Sequence, residues 1–210
     1  MNTRDVHLYL ARELSDWEIG YAVANLNRGT FQRQPGAYRV RTVGPTREPV
    51  TTMGGLRIVP DLSLAELSAE RSAMLILPGS DAYEAGQEQA VLEKAIELER
   101  AGVPIAAICG ATAGLARIGL LDTRTHTSNA REYLTYQPGY GGAAHYREAK
   151  AVCDRGVITA SATAPIDFAR EIFVALNIYE QPVLDAWYGL YTTGDPRYFH
   201  ALMQAGAAKR

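Results

Sequence analysis

The chain has 210 residues, 47% of them hydrophobic and 21% charged. That length suits one domain with a sizeable core, and the mixture is that of an ordinary globular protein. A formal net charge of −2 with no Lys/Arg block argues against a nucleic-acid or anionic-membrane surface.

The opening M-N-T-R-D-V-H carries no apolar signal core, and no run of about 18 apolar residues is present to span a bilayer. Two cysteines, Cys109 and Cys153, are too few for a disulfide framework. A reducing, cytoplasmic setting follows as the simplest expectation.

In chain order, Val6 to Leu10 predicts a first strand. Ser15 opens S-D-W-E, a capping-box pattern ahead of a helix with Ile19, Ala22, Val23 and Leu26 on one face. Asn27-Arg28-Gly29 stops that helix, Tyr38 to Val43 predicts a second strand, and Val50 to Val59 a small hairpin around Met53-Gly54-Gly55. A polar stretch, Asp61 to Arg71, leads to the apolar run Ala73 to Leu77, closed by Pro78-Gly79-Ser80. Gln87 to Ala101 is the clearest helix, with Gly102 as its stop.

Pro104 to Ile108 is a short apolar run of buried-strand length, and Cys109 follows at once, before the small-residue helix G-A-T-A-G-L-A. With Ala107, Gly110 and Ala111 as flanks, this is the pattern of a nucleophile elbow with a thiol in place of a serine. The helix N-terminus aimed at Cys109 predicts a lowered thiol pKa and a sulfur largely ionised at neutral pH. The competing reading is a buried, inert cysteine.

Beyond the elbow, Thr123 to Ser128 predicts a short β piece carrying His126, and Gln137 to Ala144 a loop. The loop glycines Gly139, Gly141 and Gly142 match no phosphate-binding pattern. Ala149 to Val152 and Val157 to Ala160 predict a hairpin, with Cys153 at its turn as a structural residue. Pro165 opens a helix, and two more helical pieces follow, around Val183 to Leu190 and from Asp195 to Gln204. Aromatics concentrated there (Trp187, Tyr188, Tyr191, Tyr198, Phe199) are expected to cap the core or a subunit interface. The reading is one domain over 1–210, with 180–210 as a helical extension packed on it.

Strands alternating with helices over short connections predict a mostly parallel sheet covered on both faces, with the active site beyond its carboxyl edge. Three corners fall there: the loop before Glu18, Pro78-Gly79-Ser80, and Cys109.

Five motifs in order are similar to the ThiJ/PfpI superfamily, relatives of class I glutamine amidotransferases that include the parkinsonism-associated protein deglycase. They are W-E-I-G-Y-A, L-I-L-P-G-S-D, A-I-C-G-A-T-A-G-L-A, L-L-D-T-R-T-H-T-S-N and V-I-T-A-S-A-T-A-P-I-D-F-A. The resemblance implies a flavodoxin-like α/β sandwich, a homodimer, a reactive elbow cysteine and a nearby carboxylic acid, matching Glu18. Two departures set the chain apart. PfpI-type peptidases place His after the nucleophile where this chain has Gly110, and amidotransferases use a late H-x-E pair that His145 and His200 do not provide.

The site residues so identified are Cys109, Glu18 and His126, with the backbone of Gly79, Ser80 and Gly110 as oxyanion donors. Each has a plainer alternative. Glu18 fits the third position of the capping box, His126 a surface strand, and the amides ordinary turns. On the resemblance, Glu18 is protonated and faces the sulfur, and His126 is base or orienter of the thiol. No metal ligand spacing and no cofactor motif is present. The expectation is a cofactor-independent cysteine enzyme acting on a small carbonyl or amide. The alternative is a stress-protective redox sensor whose Cys109 oxidises to a sulfinate.

Overall fold

The apolar runs become strands of one sheet in the computed structural model, which describes residues 3–207. Nine strands form: β1 (Arg4–Tyr9), β2 (Tyr38–Gly44), β3 (Val50–Thr51), β4 (Arg57–Ile58), β5 (Leu62–Ser63), β6 (Ser72–Leu77), β7 (Ile105–Ile108), β8 (Ala151–Asp154) and β9 (Val157–Ala160). The helices are α1 (Asp16–Arg28), α2 (Gln89–Arg100), α3 (Gly110–Arg117), α4 (Arg131–Thr135), α5 (Pro165–Ala175), α6 (Gln181–Thr193) and α7 (Pro196–Ala207).

Seven strands pair in the order β5-β2-β1-β6-β7-β9-β8, all parallel except β8, which returns antiparallel along β9. β6, β7 and β9 are buried along their whole length, which explains their continuous apolar sequences: both faces are covered by helices. β2, flanked by the two-residue edge strand β5, and the edge strand β8 are only partly buried and correspondingly mixed in sequence. This is a mostly parallel α/β sandwich of the flavodoxin-like type.

α1 packs on α5 and β2, α2 and α3 lie against β7, and α5 rests on β9. The chain ends in a helical hairpin: α6 docks on α5 and α7 on α6. Gly194 makes the stop between them, adopting the left-handed conformation at φ 71° that ends α6. Trp187 of α6 is buried edge-on against Phe173 and Tyr21, so part of the aromatic tail does cap the core. Among the described residues no helix is long and apolar enough to cross a membrane.

One local expectation needs correction, and two short elements were not expected. Thr123 to Ser128 is not a strand; His126 makes a single bridge with Tyr146. The polar stretch from Asp61 holds the edge strand β5, fixed where the Asp61 carboxylate accepts from the Thr42 N–H (2.8 Å). The segment before the 137–144 loop contains α4, too short at five residues to show a period.

Candidate active site

β7 delivers Cys109 to the carboxyl edge of the sheet, where its N–H donates to Ala160 O of β9 (3.0 Å). Its backbone is forced to φ 57°, ψ −126°, a region costly for any residue with a Cβ, by roughly 1–3 kcal/mol. The strain is held from below. The Cys109 carbonyl accepts from the Thr112 N–H (3.0 Å) and the Thr112 hydroxyl (2.6 Å). Because that hydroxyl has spent its proton, the Ser128 hydroxyl at 2.6 Å donates to it. The elbow read from the small residues around Cys109 is therefore formed.

The glycines leave room for it. A Cβ on Gly110 would lie 2.5 Å from the Ser80 carbonyl oxygen. One on Gly79 would lie 2.7 Å from Cys109 Cβ and 2.8 Å from Glu18 Oε2. Gly79→Ala is accordingly expected to pry the carboxyl from the sulfur. Stability should fall by about 1–3 kcal/mol in denaturant titration, and the rate of Cys109 alkylation should change; an unaltered rate and midpoint would contradict this packing.

Glu18 is completely buried in the first turn of α1, and the capping box is absent. Ser15 makes no side-chain bond to the helix amides, and its own N–H donates to Gly79 O (2.9 Å). In return the Gly79 N–H donates to Glu18 Oε2 (2.6 Å). These reciprocal bonds clamp the start of α1 onto the loop after β6 and turn the carboxyl toward Cys109. The other oxygen, Oε1, is buried with no nitrogen or oxygen partner.

Burial pushes the Glu18 carboxyl above its ordinary range, only partly offset by the bond from Gly79. Burial likewise pushes the Cys109 thiol up to about 11, and the adjacent Glu18 charge adds to the rise. The hydrogen bonds from Asn129 and the Gly110 N–H act in the opposite sense but do not win. The expectation of a largely ionised thiol is thus corrected: the helix N-terminus is outweighed by desolvation and a neighbouring carboxyl. The two groups are in contact, so their titrations are coupled.

The Ser80 and Gly110 backbones meet, with Ser80 N 3.0 Å from the position of a Gly110 Cβ. The first amides of a helix have no acceptor within it, and the Gly110 N–H is turned to the Cys109 sulfur above the elbow. The Ser80 hydroxyl is tied to Arg12 O (2.5 Å), which holds the turn. Gly79 differs from the other two, since its amide is spent on Glu18.

His126 is buried but not brought to Cys109. Its Nδ1 lies 2.7 Å from Arg124 O and its Nε2 2.7 Å from Tyr140 Oη, with the rings of Tyr140 and Tyr146 set edge-on to it. Its pKa is lowered by burial. The side chain at the sulfur is instead Asn129, whose Nδ2 donates to Cys109 Sγ (3.4 Å) while its Oδ1 accepts from the Ala162 N–H (2.9 Å). Asn129 ends the same motif that contains His126, but one amide side chain in a loop carries no periodic or spacing signal. Cys153 is exposed, and it lies within β8 opposite Ile158 rather than at the hairpin turn, which Arg155 and Gly156 make. Among the described residues no group of three or more His, Cys, Asp or Glu is placed to hold a metal.

The sheet order is accompanied by a match of the DJ-1/PfpI family model to residues 4–175. The chain belongs to the DJ-1/PfpI family. Among its relatives is a Bacillus subtilis protein named as the uncharacterized protease YoaZ, 42% identical over 205 residues, covering 97% of this chain and 98% of that one. A ThiJ/PfpI family protein from Bacillus anthracis has the same fold at a TM-score of 0.92 and 42% identity, covering 98% of each chain. A DJ-1 superfamily protein from Agrobacterium tumefaciens superposes at a TM-score of 0.81 with 30% identity, covering 91% of this chain and 99% of that one.

Proposed function

We propose that the protein is a cysteine-dependent enzyme acting on a small carbonyl compound, with Cys109 as nucleophile and Glu18 as proton carrier. The observation that carries this reading is the buried Glu18 carboxyl held against the Cys109 sulfur, with the ring nitrogens of His126 engaged elsewhere. Glu18 takes the thiol proton, the sulfur pair attacks the carbonyl carbon, and the C=O π electrons move to oxygen. The amides of Ser80 and Gly110 hold that oxygen until Glu18 returns the proton to it. The addition closes with these groups alone. Amide hydrolysis asks more, since a leaving amine must gain a proton and a water lose one at the same carboxyl.

The protease name of the relatives suggests peptide hydrolysis. A Cys–His peptidase needs imidazole within about 3 Å of sulfur or one water away, and the nitrogens of His126 are engaged by Arg124 and Tyr140. A panel of methylglyoxal, glutamine, simple amides and a peptide tests the reading; turnover of methylglyoxal supports it, and turnover of the peptide or amides alone rejects it.

A second reading is a redox sensor. Asn129, the Gly110 N–H and Glu18 surround the sulfur with groups that would hold an oxidised Cys109. If nothing in the panel turns over while peroxide adds two oxygens to Cys109, this reading takes its place.

The family resemblance also supports a homodimer. Light scattering at micromolar concentration is expected to give twice the chain mass, and the monomer mass would reject it.

A further inference from the structure

Asn129 is the last of three consecutive residues that are each fixed by a different part of the fold. The Thr127 N–H donates to Thr159 Oγ1 of β9 (2.9 Å) and the Thr127 hydroxyl to Ala149 O (2.8 Å). The Ser128 hydroxyl lies 2.6 Å from that of Thr112, the residue that braces the Cys109 carbonyl. Asn129 then meets the sulfur, its Nδ2 donating to Cys109 Sγ at 3.4 Å. Although exposed, this side chain is carried on a segment pinned to both the sheet and the elbow.

Its other contact decides which end of the amide faces the sulfur. The Ala162 N–H can only donate, so it takes Oδ1 (2.9 Å) and leaves Nδ2 for Cys109. The Ala162 carbonyl accepts in turn from Trp17 Nε1 (3.3 Å), which ties this segment to α1, the helix that carries Glu18. The carboxyl and the amide therefore reach the sulfur on one connected frame.

An N–H bond to sulfur is weak when the sulfur is a thiol and stronger when it is a thiolate. Asn129 thus favours the ionised form, which also becomes a poorer nucleophile as its proton affinity falls. Magnitudes decide between the two effects. Nucleophilicity falls only about threefold per unit of pKa, whereas the thiolate fraction rises about tenfold as long as the pKa lies above the ambient pH. With burial pushing the Cys109 thiol up to about 11, the gain in thiolate is the larger effect at neutral pH.

We propose that Asn129 is a further catalytic residue, whose Nδ2–H holds the negative charge on Cys109 between loss of the thiol proton to Glu18 and formation of the C–S bond. The amide itself neither gains nor loses a proton. This role rests on the reading of Cys109 as a nucleophile toward a carbonyl carbon.

The test compares wild type with Asn129→Ala and Asn129→Asp. Iodoacetamide alkylation of Cys109 is followed against pH by mass spectrometry, which separates it from Cys153, alongside methylglyoxal turnover and thermal melts. Asn129→Ala removes the donor. Asn129→Asp keeps an oxygen for the Ala162 N–H but turns a second, charged oxygen toward the sulfur. Alkylation at neutral pH should slow by about threefold or more in the first variant and about tenfold or more in the second. Both profiles should move to higher pH, and turnover should fall with alkylation. Unchanged or faster alkylation of folded Asn129→Ala would overturn the role, even with Asn129→Asp slowed, since the added charge alone explains that. So would a lower rate with no shift along the pH axis, which marks altered access, or a shifted profile with turnover unchanged. If wild type turns over no carbonyl compound, the enzyme reading fails by itself, and the alkylation profiles still decide whether Asn129 holds the thiolate.

Discussion

Cys109→Ser should abolish turnover of carbonyl substrates, by a factor on the order of 10⁴ or more, the scale expected when a covalent nucleophile is lost. The elbow should survive the change, because its strain is held by backbone and Thr112 contacts rather than by the sulfur. A hydroxyl in the same place is the wrong nucleophile for this surround. Its proton is far harder to remove, and Glu18 is a weak base with no imidazole to assist it. Steady-state kinetics with methylglyoxal, alongside thermal melts of both proteins, make the check. Turnover by the serine variant within about tenfold of wild type would place the chemistry elsewhere.

Glu18→Gln should lower turnover by about 10²-fold or more, the usual cost of losing a general acid or base. Gln keeps an oxygen to accept the Gly79 N–H, so the clamp on α1 should persist. The thiol should titrate below about 11, because the Glu18 charge that adds to burial is gone, while burial still keeps it above the ordinary value of 9.0. Alkylation at neutral pH, which needs only thiolate, should therefore rise while turnover falls. Stability should move with a definite sign as well. The folded pKa of Glu18 is raised from 4.5, so the wild type loses stability as pH rises above that value. The variant should be the more stable protein at neutral pH, and the difference should vanish below about pH 4.5. Unchanged turnover, titration and melting would return Glu18 to a purely structural role.

How much of this was legible beforehand varied with the range of the interaction. Ile105 to Ile108 had to be a buried strand, because four apolar residues leave no polar face to put in water. Cys109 was read at a tight corner because Ala107, Gly110 and Ala111 are small. The mostly parallel sheet follows from strands alternating with helices over short connections. Short pieces were harder. β5 exists through pairing with β2, and α4 is a single turn, so neither carries a period of its own.

At the site the division is sharper. Sequence alone placed Cys109 at an elbow with glycines beside it, since these are demands of local backbone geometry. It left Glu18 between two roles, because S-x-x-E spacing is satisfied equally by a capping box and by a carboxyl turned away. Only the tertiary structure decided between them, by placing the Gly79 N–H, 61 positions along the chain, closer to the carboxyl than any amide of its own helix offers. The same long-range packing turned His126 toward Tyr140 and brought Asn129 to the sulfur. It also set the thiol's proton affinity. A helix N-terminus can be read from local sequence, but burial and a carboxyl at contact distance are properties of the folded chain, and here they are the larger effects.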